Sequence, residues 1–306
     1  MVSLNHDRAK LILNDFYDIS YRLIKDIEEI HGDLFSDSLM AYSSNPAILV
    51  NAITKIYREC LRKNNDYDFP LDKHFLLPRG GISFGHVEIQ ERMESPNLTK
   101  NFIVSPALVH SVKMEGQIKG SRLLIADTEN NNEQIFNWNN DIKSILYENS
   151  TYTFWSSYKY YDSLWFLDLT KDGGQQKEEV SELIDISEKL VEANNSNQKV
   201  REQHLQTLRI GLLSFSKFLT PNDNPTLNRF LHNYRDDSYW LIWLTLIEMI
   251  MNSPDNWAFP TKPEVVDFYK AVSLKKGWSN VINEINKSPN EYLLRIFENF
   301  VMEMNI

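Results

Sequence analysis

The chain has 306 residues and a formal net charge of −10, with 42% hydrophobic and 12% aromatic residues. These proportions are typical of an ordered globular protein and exclude a chain that is disordered throughout. Proteins bind duplex nucleic acids largely by neutralising phosphates, so duplex DNA or RNA is not expected as the main partner of an acidic chain. The length fits one large domain or two ordinary ones.

The first half of the chain alternates between helix and strand signals. Apolar residues recur every three or four positions from Ile12 to Ile30, which predicts a helix, and Gly32 is expected to cap its C-terminal end. The next predicted elements are a strand or hairpin over 34–42, a helix over 47–63, a long strand over 75–89, a strand over 102–104, a helix ending near 118 and a strand over 123–126. A loop over 128–140 and an aromatic hairpin over 151–169 follow. This order favours an α+β fold with helices on one face of a sheet.

The pattern changes after the Gly-Gly-Gln-Gln stretch at 173–176, which we interpret as a domain boundary. Further helices are predicted over about 180–191, 198–219, 224–235, 238–252, 262–274, 279–287 and 290–304. The sequence therefore predicts an α+β domain over 1–172 and an all-α domain over 177–306. No motif in the second domain indicates a chemistry.

No segment of the sequence indicates export or a membrane span. The start of the chain lacks the basic flank, apolar stretch and cleavage site of a signal peptide. The most apolar run, from Trp240 to Met251, is shorter than the roughly 20 residues of a span and predicts a buried helix. The single cysteine, Cys60, lies in apolar helical surroundings, which favour a buried structural thiol over a nucleophile. We therefore expect a cytoplasmic protein without a membrane partner.

Three segments, in order, resemble the class III adenylyl and guanylyl cyclase homology domain. They are FSDSLMAY at 35–42, RGGISFG at 79–85 and IVSPALVHSV at 103–112. They are similar to the family's metal-binding hairpin, to its Gly-Ile-x-x-Gly strand and to the helix with its late catalytic residues. Together they cover roughly residues 10–130, and they are most similar to divergent bacterial cyclase domains, including the pyrimidine cyclases of phage defence. The resemblance implies a ferredoxin-like, cyclase-type sheet followed by helices.

The resemblance also implies nucleotide and metal contacts for a few residues. Members of the family hold two divalent cations, Mg²⁺ or Mn²⁺, on two aspartates from adjacent strands. Asp37 matches the second aspartate, Asp33 matches a position that helps to select the base, and Gly81 and Gly85 would lie beside the nucleotide. Each aspartate also has a simpler interpretation. Asp37 can be a hairpin aspartate that caps its own backbone, and Asp33 can be a polar residue that enters a hairpin after Gly32.

The sequence departs from the family where its catalytic residues are concentrated. The predicted first helix starts close to the beginning of the chain, so the opening strand and the first aspartate have no counterpart. Val109 stands where the family has a ribose-orienting asparagine, and Lys113 stands where it has the transition-state arginine. Lysine keeps the charge but not the planar fork of arginine, and a solvated helix lysine is the alternative. Arg79 is a second candidate for a phosphate contact, and its alternative is an ion pair with a neighbouring carboxylate.

Three functions are compatible with these features. The leading hypothesis is a catalytically degenerate cyclase-like protein that binds a nucleoside triphosphate or cyclic nucleotide, or regulates a partner, in prokaryotic or phage signalling or defence. The second is an active nucleotidyl cyclase in which a homodimer or another chain supplies the missing aspartate, with Asp37 on the metal and Lys113 or Arg79 on the phosphates. The third is a protein-interaction scaffold in which the aromatic stretch from Tyr152 to Trp165 and the helical second half form a partner surface, or another chain pairs with an exposed sheet edge. The sequence alone leaves open whether the protein is an enzyme.

Overall fold

The structure is a computed structural model that describes residues 6–35, 37–68, 75–91, 101–127, 140–155 and 158–234, together with residues 239, 241–242, 245–246 and 249. Helices and strands are mixed up to residue 163, and the regular elements that follow in the described residues are helical. The protein therefore has an α+β fold. Among the described helices, none combines the length and the apolar character that a membrane span requires.

The helices and strands have the following bounds in chain order. They are α1 His6–Ile24, β1 His31–Phe35, β2 Ser38–Tyr42, α2 Pro46–Lys63, β3 Gly80–Ile82, β4 Glu88–Glu91, β5 Asn101–Val104, α3 Pro106–Gln117, β6 Leu123–Asp127, α4 Asn140–Ile145, β7 Leu146–Trp155, β8 Tyr158–Ser163, α5 Gly173–Ala193, α6 Gln198–Phe215 and α7 Asn224–Asn233. Short 3₁₀ turns lie at Asn64–Asp66, Ser216–Phe218 and Pro221–Asp223.

The first helix ends earlier than the apolar periodicity predicts. α1 ends at Ile24, and Ile30 lies beyond it, buried beside Leu49 and Ala52 of α2. Gly32 does not cap the helix, so that prediction is wrong, because Gly32 pairs with Ala41 in the antiparallel hairpin of β1 and β2. The hairpin itself is confirmed. The spacing of Ile30 thus reflects packing against α2 rather than continuation of α1.

The helices α2 and α3 match their predictions because each has a strong local start signal. The side chain of Asn45 accepts hydrogen bonds from the backbone N–H groups of Ala47 at 3.2 Å and Ile48 at 3.4 Å. Ser105 likewise accepts from Leu108 N–H at 3.2 Å. In both helices a proline occupies the first turn, where its missing N–H costs no intrahelical bond.

The prediction of one long strand over 75–89 is wrong. Two short strands replace it, and they belong to different sheets. β3 pairs in parallel with β6, whereas β4 pairs antiparallel with β5. Residues 75–89 therefore contribute to two sheets with different partner strands, and their own sequence does not indicate either partner.

The main sheet has four strands in the order β3-β6-β8-β7. β3 and β6 are parallel, and the other neighbouring pairs are antiparallel. Gly80 of β3 faces the Tyr57 hydroxyl of α2, while the next residue, Gly81, faces Met114 of α3. Helices therefore cover both faces of the sheet, and the prediction that they lie on one face is wrong. The sequence of β6 agrees with this, since the run from Leu123 to Ala126 is apolar and buried at every position.

The predicted hairpin over 151–169 corresponds to β7 and β8, which start and end earlier. Trp165 and Phe166 follow β8 and are fully buried, with ring centroids 4.0 Å apart. The indole N–H of Trp165 donates to the backbone oxygen of Ser121 at 2.9 Å. Trp165 is thus a core residue and not part of a partner surface. The loop predicted over 128–140 lies outside the described residues except for Asn140, which starts the unpredicted helix α4.

The helices predicted in the second half are confirmed as far as the structure describes them. α5 covers its predicted range, and α6 and α7 begin where predicted but end before residues 219 and 235; the helices predicted after residue 252 lie outside the described residues. In the 238–252 range, Leu241, Ile242, Leu246 and Met249 are buried.

The predicted domain boundary coincides with the start of α5. The Asp172 side chain accepts a hydrogen bond from Gln175 N–H at 3.0 Å and caps this helix. One hydrophobic cluster joins Leu61 and Ile125, before the boundary, to Leu183 and Leu208, after it. The division into 1–172 and 177–306 stays a prediction, and the described residues on its two sides share a core.

Candidate functional site

The two aspartates that match the cyclase metal hairpin lie on β1 and in the turn before β2. Asp33 pairs across the hairpin with Met40 and is partly buried. Asp37 is exposed in the turn, where its carboxylate accepts a hydrogen bond from the Ser38 hydroxyl at 3.3 Å. This contact joins two side chains and does not involve the backbone that the simpler interpretation of Asp37 requires.

The hairpin of β1 and β2 forms a two-stranded sheet of its own. Leu34 and Leu39 pack against the cluster that includes Phe16 and Ile19 of α1. At the base of the hairpin, Ala41 packs against the same cluster as Ile82, the last residue of β3. Among the described strands, the hairpin that carries Asp33 and Asp37 is therefore separate from the sheet that carries Gly81, and both pack against one cluster around Leu49.

Arg79 lies directly before β3 and is engaged by a carboxylate. Its guanidinium forms an ion pair with Glu115 of α3, and the two side chains are 47% and 36% exposed. This is the alternative that the sequence offered for Arg79. A phosphate ligand would have to compete with Glu115 for this arginine.

Gly81 and Gly85 both lie against α3. A Cβ atom on Gly81 would be 2.8 Å from the Met114 Cβ and 2.9 Å from the Ser111 backbone oxygen. A Cβ atom on Gly85 would be 3.4 Å from the Ala107 Cβ. The resemblance implies that these glycines lie beside a nucleotide, and in the structure their near neighbour is α3.

α3 buries one face and exposes the other. Ala107 and Met114 are buried, whereas Val109 is 51% exposed and Val112 is 60% exposed. Lys113 is also exposed, on the same helix. Exposed valines at this spacing make an apolar surface strip on the helix that resembles the family's catalytic helix.

The described residues do not provide a metal centre. No group of three or more His, Cys, Asp and Glu side chains that could hold a metal ion occurs in the part of the chain that the structure describes. Asp37 has a hydroxyl neighbour and lies in a turn exposed to solvent. Asp37 would therefore supply one of the two aspartates that the resemblance implies for Mg²⁺ or Mn²⁺, and the other would have to come from outside these residues.

A buried ion pair in the main sheet has no counterpart in the sequence motifs. Arg122 donates to both carboxylate oxygens of Asp162, at 2.8 and 2.6 Å, and Asp162 is fully buried. The guanidinium of Arg209 lies 4.0 Å from the same carboxylate and over the ring of Tyr147. The arrangement joins α6 to the strands β6 and β8 through fully desolvated charges.

A second set of charges holds α2 to the start of α5. Arg58 donates to the backbone oxygens of Trp165 at 3.0 Å and Leu167 at 2.5 Å, and lies 3.5 Å from Asp168. Burial lowers the pKa of Arg58 to about 10, and Asp168 opposes this effect. Glu179 of α5 pairs with both Arg62 and Lys171. No local pattern identifies these residues, because their partners are separated from them by many positions in the chain.

His204 of α6 is a third buried polar group that the sequence did not indicate. Its side chain lies edge-on against Phe75, with ring centroids 4.6 Å apart, and the residue is 1% exposed. Neither ring nitrogen has a hydrogen-bond partner in the described part of the chain. Burial lowers the pKa of His204 to about 4, so the imidazole is neutral at physiological pH.

The chain matches no protein-family model, no curated protein and no solved structure. The resemblance to class III cyclases therefore stays a prediction from three sequence segments. The arrangement of the residues themselves indicates structural roles for Arg79, Gly81 and Gly85, and leaves Asp37 and Lys113 accessible on separate elements.

Proposed function

We propose that this protein is a cyclase-like regulatory protein that binds a nucleotide or a partner protein and does not cyclise nucleotides by itself. The observation that carries the proposal is the ion pair between Arg79 and Glu115. Catalysis of phosphoryl chemistry needs a cation aimed at the phosphates as charge develops. An arginine already neutralised by a carboxylate supplies less of that stabilisation, and Lys113 lacks the fork geometry of arginine.

The proposal includes a distant relationship to the ferredoxin-like sheet of the cyclases. It is supported by β3 and β6, which run parallel with α3 packed against them. This unit contains two of the three segments that resemble the family. The hairpin with the first segment forms its own sheet, so the relationship at Asp37 rests on sequence alone.

The binding half of the proposal is tested by isothermal titration calorimetry with each of the four ribonucleoside triphosphates, with and without Mg²⁺. We expect saturable binding of at least one nucleotide. Asp37→Ala should weaken the part of the affinity that depends on Mg²⁺. Asp26→Ala is the matched control, because Asp26 is a loop aspartate that is 84% exposed. An equal effect of the two variants would argue against a role for Asp37.

The catalytic half is tested by incubating the protein with the same nucleotides and Mg²⁺ or Mn²⁺, and analysing the products by mass spectrometry. We expect no cyclic nucleotide. A cyclic product that is lost in Asp37→Ala and kept in Asp26→Ala would overturn the proposal. It would make the protein an active cyclase that completes its metal site with a second chain.

A second candidate function is a protein-interaction module, which is favoured by the exposed face of α3. Val109 and Val112 are half-exposed or more, and Val104 just before the helix is 45% exposed. Size-exclusion chromatography with light scattering measures self-association directly. A strict monomer at high concentration would count against homodimer pairing and against a catalytic site shared between two copies.

A further inference from the structure

Two close contacts lie in series: one joins α6 to the turn after α3, and the other joins β3 to α3. In the turn between α3 and β6, Gly120 has a φ of +79°, and a Cβ atom there would lie 2.4 Å from the Gln203 backbone oxygen of α6. In β3, a Cβ atom on Gly81 would lie 2.9 Å from the Ser111 backbone oxygen of α3. A backbone oxygen is among the nearest neighbours at both points, beside the Met114 side chain at Gly81 and the Thr207 side chain at Gly120. Close-packed contacts of this kind transmit a displacement with little relaxation.

Hydrogen bonds fix the same turn on two sides. The backbone N–H of Ser121 donates to the Thr207 hydroxyl of α6 at 2.9 Å. The Ser121 hydroxyl donates to the Pro78 backbone oxygen at 2.7 Å, and Gly80 N–H donates to the Arg122 oxygen at 3.1 Å. The turn is therefore tied to α6 and to the start of β3 within two residues. A shift of α6 therefore moves this turn, and the turn is attached to the C-terminal end of α3.

We propose that α6 sets the position of α3 through the turn between α3 and β6, so that a displacement of α6 changes how firmly α3, with its exposed face, is held on β3. This inference rests on the proposed function, which is what gives the surface around Val109 and Lys113 its role. The regulating element is the junction of Gly120, Ser121 and Thr207. A change at this junction alters the packing of α3 against β3.

Hydrogen–deuterium exchange of the unliganded protein, followed by mass spectrometry, tests the coupling. Thr207→Val keeps the shape of the side chain but removes the acceptor of the Ser121 N–H. We expect exchange over residues 106–122 to rise by about fivefold, the size expected for loss of one buried hydrogen bond. Thr207→Ser keeps the hydroxyl and should exchange like the unchanged protein.

The matched control is Ser214→Ala, which removes another buried hydroxyl of α6. The Ser214 hydroxyl donates to the Ile210 oxygen at 2.7 Å, within the helix and away from the turn. We expect this variant to leave residues 106–122 unchanged. Unchanged exchange over 106–122 in Thr207→Val, or an equal rise over the whole chain in both variants, would overturn the proposal.

A milder variant keeps the test available if Thr207→Val does not fold. Glu202→Ser removes the exposed ion pair with Lys119, whose charged atoms are 3.5 Å apart across the same junction. It should raise exchange over 106–122 in the same direction by less, and no rise would count against the proposal. Because no nucleotide is present, a negative result leaves the proposed function untouched, and calorimetry tests that function separately.

Discussion

A methyl group added at Gly120 tests how closely α6 is held against the turn between α3 and β6. Gly120 has a φ of +79°, in the left-handed region that alanine enters at a cost of about 1–2 kcal/mol. The added Cβ would lie 2.4 Å from the Gln203 backbone oxygen and 3.1 Å from the Thr207 hydroxyl oxygen. Overpacking of this kind costs about 1–3 kcal/mol more when the neighbour is not a flexible side chain. We expect Gly120→Ala to lower the free energy of unfolding by about 2–5 kcal/mol, a large part of the roughly 5–15 kcal/mol of a typical domain.

Urea denaturation followed by tryptophan fluorescence measures this loss, because Trp165 is fully buried and reports on the shared core. Gly116→Ala is the matched control. Gly116 lies on the exposed side of α3, and a Cβ atom there has no neighbour within 4 Å. Alanine in place of a helical glycine should raise the free energy of unfolding by about 0.5–1 kcal/mol. A loss below about 1 kcal/mol in Gly120→Ala would refute the close approach of α6 to this turn.

Three further predictions concern buried groups. Asp162→Asn leaves the Arg122 charge without its fully buried partner and should lower the free energy of unfolding by about 3–5 kcal/mol in the same denaturation assay. A decrease below about 1 kcal/mol would contradict a desolvated ion pair. Burial lowers the pKa of His204 from 6.5 to about 4, so between these values the unfolded chain binds a proton that the folded chain does not, and stability falls as the pH falls. His204→Leu should flatten the unfolding free energy over this pH range, and an unchanged slope would show that other groups cause it. Cys60 is fully buried with a pKa raised by burial, so a thiol reagent should label it only after denaturation, and fast labelling of the native protein would contradict its burial.

Helix positions followed from the sequence where short-range interactions decide them. Asn45 and Ser105 start α2 and α3 with side-chain caps that act within three residues. The strand or hairpin predicted over 34–42 is a hairpin that starts three residues earlier, at His31, and its two strands are neighbours in the chain. The end of α1 was not predicted correctly, because Ile30 keeps the helical spacing while it packs against α2. Local sequence signals therefore predicted an element correctly only where its contacts are with residues nearby in the chain.

The candidate site was harder to predict because its contacts join distant parts of the chain. The resemblance implied that Gly81 lies beside a nucleotide, and only the structure identifies α3 as its neighbour. The sequence also offered a carboxylate partner for Arg79, without identifying Glu115 as that partner. The pair of Arg122 and Asp162 gave no signal, since nothing in either local sequence indicates the other.

The sequence by itself determined an ordered α+β chain, the helices with local caps, the burial of Cys60 and the residues that resemble a cyclase. The tertiary structure decided that helices cover both faces of the sheet, and that Trp165 lies in the core. It also decided that residues on both sides of the predicted boundary share one hydrophobic cluster. The physical reason is that periodicity and capping act within a few residues. Sheet partners, buried ion pairs and close glycine contacts instead depend on which distant segments the folded chain brings together.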